Sequence, residues 1–155
     1  MKQTINVFEK GQRALKSLNS LGAYLAKSIV EQSLLHLIYY RVSQLNGCAF
    51  CLDMHSKDLL AAGENQQRLL VLNAWKETPF FSERERAALA FAEALTKLNG
   101  ASIDDAVYNE ACSQFSEEEL IDLSFAIITI NSYNRVNIAF PNPAAVGTYA
   151  PGMYA

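Results

Sequence analysis

Two of the chain's three cysteines and one of its two histidines fall within eight consecutive positions, inside the stretch NGCAFCLDMHSKDL from Asn46 to Leu59. Thiols and an imidazole at this density suit a redox-active dithiol, a metal site, or chance packing of small apolar thiols. If the segment after Gly47 is helical, Cys48 and Cys51 stand at i and i+3, neighbours on one face. Their Cα atoms would then be about 5 Å apart, within the range a disulfide spans. Cys51 and His55, at i and i+4, are stacked the same way. The first turn of a helix carries unpaired N–H groups and a partial positive charge, which favours a thiolate over a thiol. His55 adds a base that faces Cys51 more directly than Cys48. The spacing therefore predicts Cys51 as the activated nucleophile and Cys48 as the resolving thiol.

With peroxide as substrate these parts would work in sequence. The Cys51 thiolate would attack the distal oxygen of ROOH, a proton would reach the departing RO⁻, and a sulfenic acid would form on Cys51. Cys48 would condense with it, releasing water and leaving a disulfide, which a dithiol donor would reset by exchange. The metal alternative needs four ligands in a structural setting. Cys48, Cys51, His55 and His36 make a formal set, but the second histidine lies upstream, unlike a zinc finger. The third thiol, Cys112 in NEACSQF, stands alone and reads as a small core residue.

The elements that must position these groups are helices. A chain of 155 residues, 50% hydrophobic and 19% charged, suits a single globular domain. The formal net charge of −3, with no basic block, gives no sign of nucleic-acid binding. The longest apolar run, FAIITI, is too short to cross a bilayer. The opening MKQTINVFEKGQRALK lacks the apolar core of a secretory signal, which makes the cytoplasm the expected compartment. A close cysteine pair there is more often catalytic or metal-binding than structural.

Leu15, Leu18, Gly22, Leu25 and Ile29 recur at helical spacing. Between Glu31 and Leu45 the apolar residues Leu34, Leu35, Leu37, Ile38, Val42 and Leu45 cover most of the circumference, as in a buried helix. Asn46-Gly47 breaks it. A helix over about 49–62 follows, with Gly63 past its end, and another piece over 66–75. Ser82 with Glu85 and Ser116 with Glu119 are capping boxes opening two further helices, and Ser102 with Asp105 starts a shorter one between them. Trp75, Phe80 and Phe81 read as core or subunit contacts. Asn131, Asn134 and Arg135, in an otherwise apolar helix, read as groups satisfying buried backbone or crossing an interface. Arg135 also offers a substrate or donor contact. The tail over about 141–155 holds three of the four prolines and is expected to wrap a neighbour or lie loose.

The tract RVSQLNGCAFCLDMHSKDLLAAGE resembles the core of the alkyl hydroperoxidase D-like (AhpD-like) branch of the carboxymuconolactone decarboxylase family. QQRLLVLNAWKETPFFSERERAALAFAEAL and FSEEELIDLSFAIITINSYNRVNIAF are similar to it too, so the likeness covers most of 34–140. True lactone decarboxylases lack the paired cysteines, so their presence points to the redox branch. The resemblance implies an all-α, single-domain chain that assembles into a homo-oligomer, a dimer, trimer or hexamer. It implies peroxidase or disulfide-reductase activity, with Cys51 attacking peroxide, Cys48 resolving and His55 relaying protons; the sequence itself gives no evidence for a cofactor.

Two positions depart from the family. Its members usually carry a glutamate twelve residues before the first motif cysteine, where this chain has His36, and the best-studied subgroup has a histidine between the cysteines, where this chain has Phe50. The carboxylate and two imidazoles of the relay become His36 and His55 alone. A neutral imidazole still passes a proton but supplies no fixed negative charge. The partners expected are a hydroperoxide and a dithiol, lipoyl or thioredoxin-like reductant. A disulfide reductase feeding electrons to a peroxiredoxin, and a non-enzymatic redox-sensing or metal-binding module, are the competing functions.

Overall fold

The computed structural model describes residues 5–153, and every regular element among them is helical. In chain order these are α1 (Val7–Lys10), α2 (Gln12–Leu25), α3 (Gln32–Asn46), α4 (Ala49–Ala61), α5 (Gln66–Val71), a 3-10 segment (Leu72–Glu77), α6 (Glu83–Thr96), α7 (Asp105–Gln114), α8 (Glu117–Ala139) and a 3-10 turn (Pro143–Ala145). The buried helix expected near 31–45 is α3. It packs against α4, α6 and α8 together, which is why Leu34, Leu35, Leu37, Ile38 and Val42 are all buried around its girth. The long α8 closes the other side of the core with Leu120, Leu123, Ile127 and Ile130.

Local signals placed most boundaries. Both capping boxes form: the Ser82 and Ser116 side chains accept from the backbone N–H of Glu85 and Glu119, and each glutamate reaches back to the serine N–H. Exchanges of this kind stabilise a helix start by about 1 kcal/mol. Gly47, at φ 68°, ends α3 in the left-handed region. Its N–H donates to the Gln44 carbonyl and that of Cys48 to the Ser43 carbonyl, a Schellman pair that turns the chain directly into α4.

Several expectations are corrected. Ile29 lies beyond the end of α2 and is 60% exposed, while Leu25 is buried at that end. The helix expected over 66–75 stops at Val71 and tightens to 3-10, with Ala74 outside helical backbone angles. The short helix before α8 is capped by Asp104, which accepts from the Ala106 N–H, while Ser102 lies in the irregular stretch ahead of it. Of the aromatics read as core or subunit contacts, Trp75 and Phe81 are in the core and Phe80 is exposed, which leaves that reading standing. Cys112 is exposed rather than in the core: Ala111 takes the inward position on α7, and one residue further round a helix points away from it.

The tail folds back on its own chain. Lys57 Nζ donates to the carbonyls of Gly147 and Tyr149, and the Gly147 N–H donates to Asp53. The Tyr149 hydroxyl donates to Asp58 Oδ1 at 2.6 Å. Tyr149 is thereby buried against α4. No described helix is long and apolar enough to cross a membrane.

Candidate functional site

The turn at Gly47 sets the chemistry at the head of α4. Cys48 is the N-cap residue of that helix, and its sulfur accepts from the Cys51 N–H at 3.4 Å. Cys51 sits in the first turn, among the N–H groups that favour negative charge on sulfur. The two cysteines form a disulfide with a Cα–Cα distance of 5.4 Å, close to the spacing expected for i and i+3. Both are almost fully buried, at 2% and 1% exposure. Asn137, reaching in from α8, places Nδ2 3.5 Å from the Cys51 sulfur while also donating to the Tyr133 carbonyl.

His55 follows one turn along α4 and is buried. Neither of its ring nitrogens has a hydrogen-bond partner, and the Nδ1 of His36 is likewise unpartnered. The rings meet edge to face with centroids 6.2 Å apart. Tyr39, a turn beyond His36 on α3, completes a triangle, with its ring centroid 5.7 Å from His36 and 5.4 Å from His55. Burial, and then the neighbouring His36, push the His55 pKa down to about 3. Burial also lowers His36, against a smaller opposing pull from Asp58. Burial raises the Tyr39 phenol. With the disulfide formed, the pocket thus holds two neutral imidazoles and a neutral phenol in a poorly solvated space.

Cys48 and Cys51 stand at the head of α4, while His36 and His55 meet further along the α3–α4 pair. Cys48 and Cys51 are joined, and His36 and His55 share a cluster. The four-ligand set of two sulfurs and two imidazoles is not assembled as such, because the sulfurs are bonded to each other. The histidines instead gather with Asp58, one ligating atom from each lying within 4.8 Å of the others. Asp58, Tyr39, Asn137 and Tyr149 were not foreseen. Tyr39 and Asp58 were within reach of a spacing argument, being i+3 from His36 and i+3 from His55. Asn137 and Tyr149 arrive from distant chain segments, and nothing local announces them.

Asn131 and Asn134 bind side chains across the core. The Asn46 amide donates to both, Asn134 donates to Ser43, and Asn131 donates to Thr96. They fix α8 to the end of α3 from which the site hangs. Arg135 is exposed and bonds back to Asn131.

The sequence matches the Carboxymuconolactone decarboxylase family over residues 12–94, a span that contains His36, both cysteines, His55 and Asp58. The uncharacterized protein YdfG of Bacillus subtilis (strain 168) is 38% identical over 145 residues, 94% of this chain and 99% of its own. An Agrobacterium tumefaciens protein of unknown function, described as a candidate AhpD antioxidant-defence protein, superposes with a TM-score of 0.85 at 35% identity, covering 90% of this chain and 95% of its own. The apo debrominase Bmp8 superposes with a TM-score of 0.77 at 25% identity, covering 88% of this chain and 75% of its own. On family match and fold together, the chain belongs to the carboxymuconolactone decarboxylase family and has the all-α fold of its AhpD-like members.

Proposed function

We propose that the protein is a thiol-dependent peroxidase that reduces hydroperoxides through the Cys48–Cys51 pair. The observation that carries this reading is the disulfide at the head of α4 with an unpartnered imidazole one turn further on. Two electrons and two protons from a dithiol donor, of lipoyl or thioredoxin-like type, open the disulfide to a Cys48 thiol and a Cys51 thiolate beside protonated His55. The new negative charge favours the imidazolium that burial otherwise suppresses. The thiolate attacks the distal oxygen of ROOH, the O–O bond breaks, and the His55 proton reaches RO⁻ to give ROH and a Cys51 sulfenic acid. The Cys48 thiol displaces hydroxide from that sulfur, its own proton joins the hydroxide, water leaves and the disulfide returns. One peroxide consumes two electrons and two protons, as the donor supplied.

Asn137 supports the assignment of roles, because its Nδ2–H points at Cys51 and would stabilise a thiolate there. Burial of both sulfurs means that peroxide reaches Cys51 only when the covering side chains move aside, which favours a small or apolar hydroperoxide. Self-association fits the same reading. Ile121, Phe125 and Ile128, at i, i+4 and i+7 on α8, leave an apolar stripe 44–55% exposed, a surface that monomers seldom present.

Cys51→Ser should abolish peroxide consumption in a dithiol-coupled assay. Cys48→Ser should leave a sulfenic acid on Cys51, visible as one added oxygen by mass spectrometry. Undiminished turnover in the Cys51 variant would remove that residue as nucleophile. Fast exchange with protein disulfides alongside negligible peroxide consumption would instead make the protein a disulfide reductase.

A further inference from the structure

The His36–His55–Asp58 cluster has a donor set that proton relay alone does not require. Two imidazoles and a carboxylate bring one ligating atom each to within 4.8 Å of one another. Three of the imidazole nitrogens are buried without any hydrogen-bond partner. Native interiors rarely leave such groups unpaired, and an ion is one of the standard ways to satisfy them. The third ligand is already oriented: the Tyr149 hydroxyl donates to Asp58 Oδ1 at 2.6 Å, and Oδ2 has no hydrogen-bond partner among the described residues. A phenol bound to a ligating carboxylate is the kind of outer contact that fixes metal ligands.

We propose that His36, His55 and Asp58 form a binding site for a single divalent transition-metal ion of the zinc type. Two nitrogen donors select against magnesium and calcium, which take oxygen ligands. Three protein ligands leave a fourth position for water. Donors at about 2.0–2.1 Å from zinc lie about 3.3 Å apart, so the three atoms must draw together by up to about 1.5 Å, within reach of side-chain rotation. Binding here does not depend on the sulfurs. An ion at this site would hold the His55 lone pair that proton transfer uses, so occupancy and peroxide turnover would compete. That consequence rests on the peroxidase reading, whereas the binding does not.

The test uses the full chain in its disulfide form, with no peroxide present. Calorimetric titration with zinc chloride should give one ion per chain. His36→Ala and Asp58→Asn should each weaken binding at least tenfold, with helical content by circular dichroism unchanged. Cobalt(II) added to the unsubstituted protein should give visible d–d bands of a four- or five-coordinate nitrogen–oxygen site without a thiolate charge-transfer band. Absence of zinc binding to the unsubstituted protein would overturn the proposal. So would affinity unchanged in both variants, or a thiolate band in the cobalt spectrum. Because peroxide turnover is not measured, failure here leaves the peroxidase reading standing, and failure of that reading leaves this site standing.

Discussion

Helix α3 contributes to two buried polar clusters. Arg41 belongs to one and His36 to the other. At Arg41 every group is paired. Its Nε and one terminal nitrogen donate to Glu93 Oε1 at 2.9 and 2.7 Å, its other terminal nitrogen donates to Gln44, and the Trp75 indole N–H donates to the same Glu93 oxygen at 2.8 Å. Burial would raise the Glu93 pKa, but these donors outweigh it and hold the carboxylate ionised. At His36 the pairing is absent: the imidazoles face each other and Tyr39 with no hydrogen bond to satisfy them. A saturated cluster has no capacity left for a ligand or a proton, and it locks the 3-10 segment and α6 onto α3. An unsaturated one destabilises the fold slightly and keeps lone pairs available. The contrast separates architecture from chemistry without reference to any relative.

The sharpest way to break the comparison is to unbalance the paired cluster. Glu93→Ala leaves Arg41 buried, at 8% exposure, facing a missing partner. Breaking a buried pair by removing one member costs about 3–5 kcal/mol. Urea unfolding should show a loss of that order, while peroxide turnover per folded molecule stays near that of the unsubstituted protein. A loss below about 1 kcal/mol would mean that solvent already screens the pair.

The second cluster should reveal itself in acid. The chain has two histidines, both in it, and both have folded pKa values below the usual 6.5. As pH falls the unfolded chain takes up these protons first, so stability is complete above about pH 6.5 and declines toward pH 3, the folded value for His55. The lowered carboxylates Glu31, Glu93 and Glu119 join only below their ordinary value of 4.5. Between about pH 6.5 and 4.5 the side-chain slope therefore belongs to the histidines, at up to about 1.4 kcal/mol per pH unit for each. Unfolding midpoints at several pH values should fall through this window and flatten in a His36→Phe, His55→Phe double variant. A flat profile in the unsubstituted protein would show that the imidazoles charge freely and that their pocket is wet.

These clusters also mark how far the sequence could be read. The all-α class and both capping boxes were legible because a serine and a glutamate three residues later act on their own turn. The disulfide was legible for the same reason, two sulfurs one helical turn apart. His36 was found by a likeness that spans twelve residues to Cys48, and helical spacing alone does not say that α3 lies against α4. Asp58, Tyr149 and Asn137 were missed because their roles are created by packing. The tail was expected to wrap a neighbour or lie loose, yet Lys57 and Asp53 on α4 hold its backbone, contacts between segments about ninety residues apart. The paired cluster escaped too, since Arg41, Trp75 and Glu93 are separated by whole helices.

A carboxylate at His36 would sharpen the comparison from the side of function. Burial, and behind it the repulsion His36 exerts when protonated, hold the His55 pKa down. His36→Glu replaces that repulsion with attraction and should move His55 back toward neutrality, where an acid transfers protons best. Turnover should rise several-fold, equivalent to about 1 kcal/mol of barrier, and the acid limb of its pH profile should shift upward. Equal or lower turnover with the fold intact would count against His36 as part of the relay.

The smallest effect belongs to the third thiol. Cys112 shares its residue type with Cys48 and Cys51 but none of their surroundings. It lies in the last turn of α7, exposed, with neither a second sulfur nor an imidazole one turn away. Cys112→Ser exchanges one small exposed polarisable group for another of nearly equal volume. Stability should change by less than about 0.5 kcal/mol, and peroxide turnover should stay level. Thiol titration of the reduced protein should then fall by one group, without change in the fast-reacting pair. If turnover dropped instead, the nucleophile would have to be sought on α7, and the contrast between a paired and an isolated sulfur would lose its meaning here.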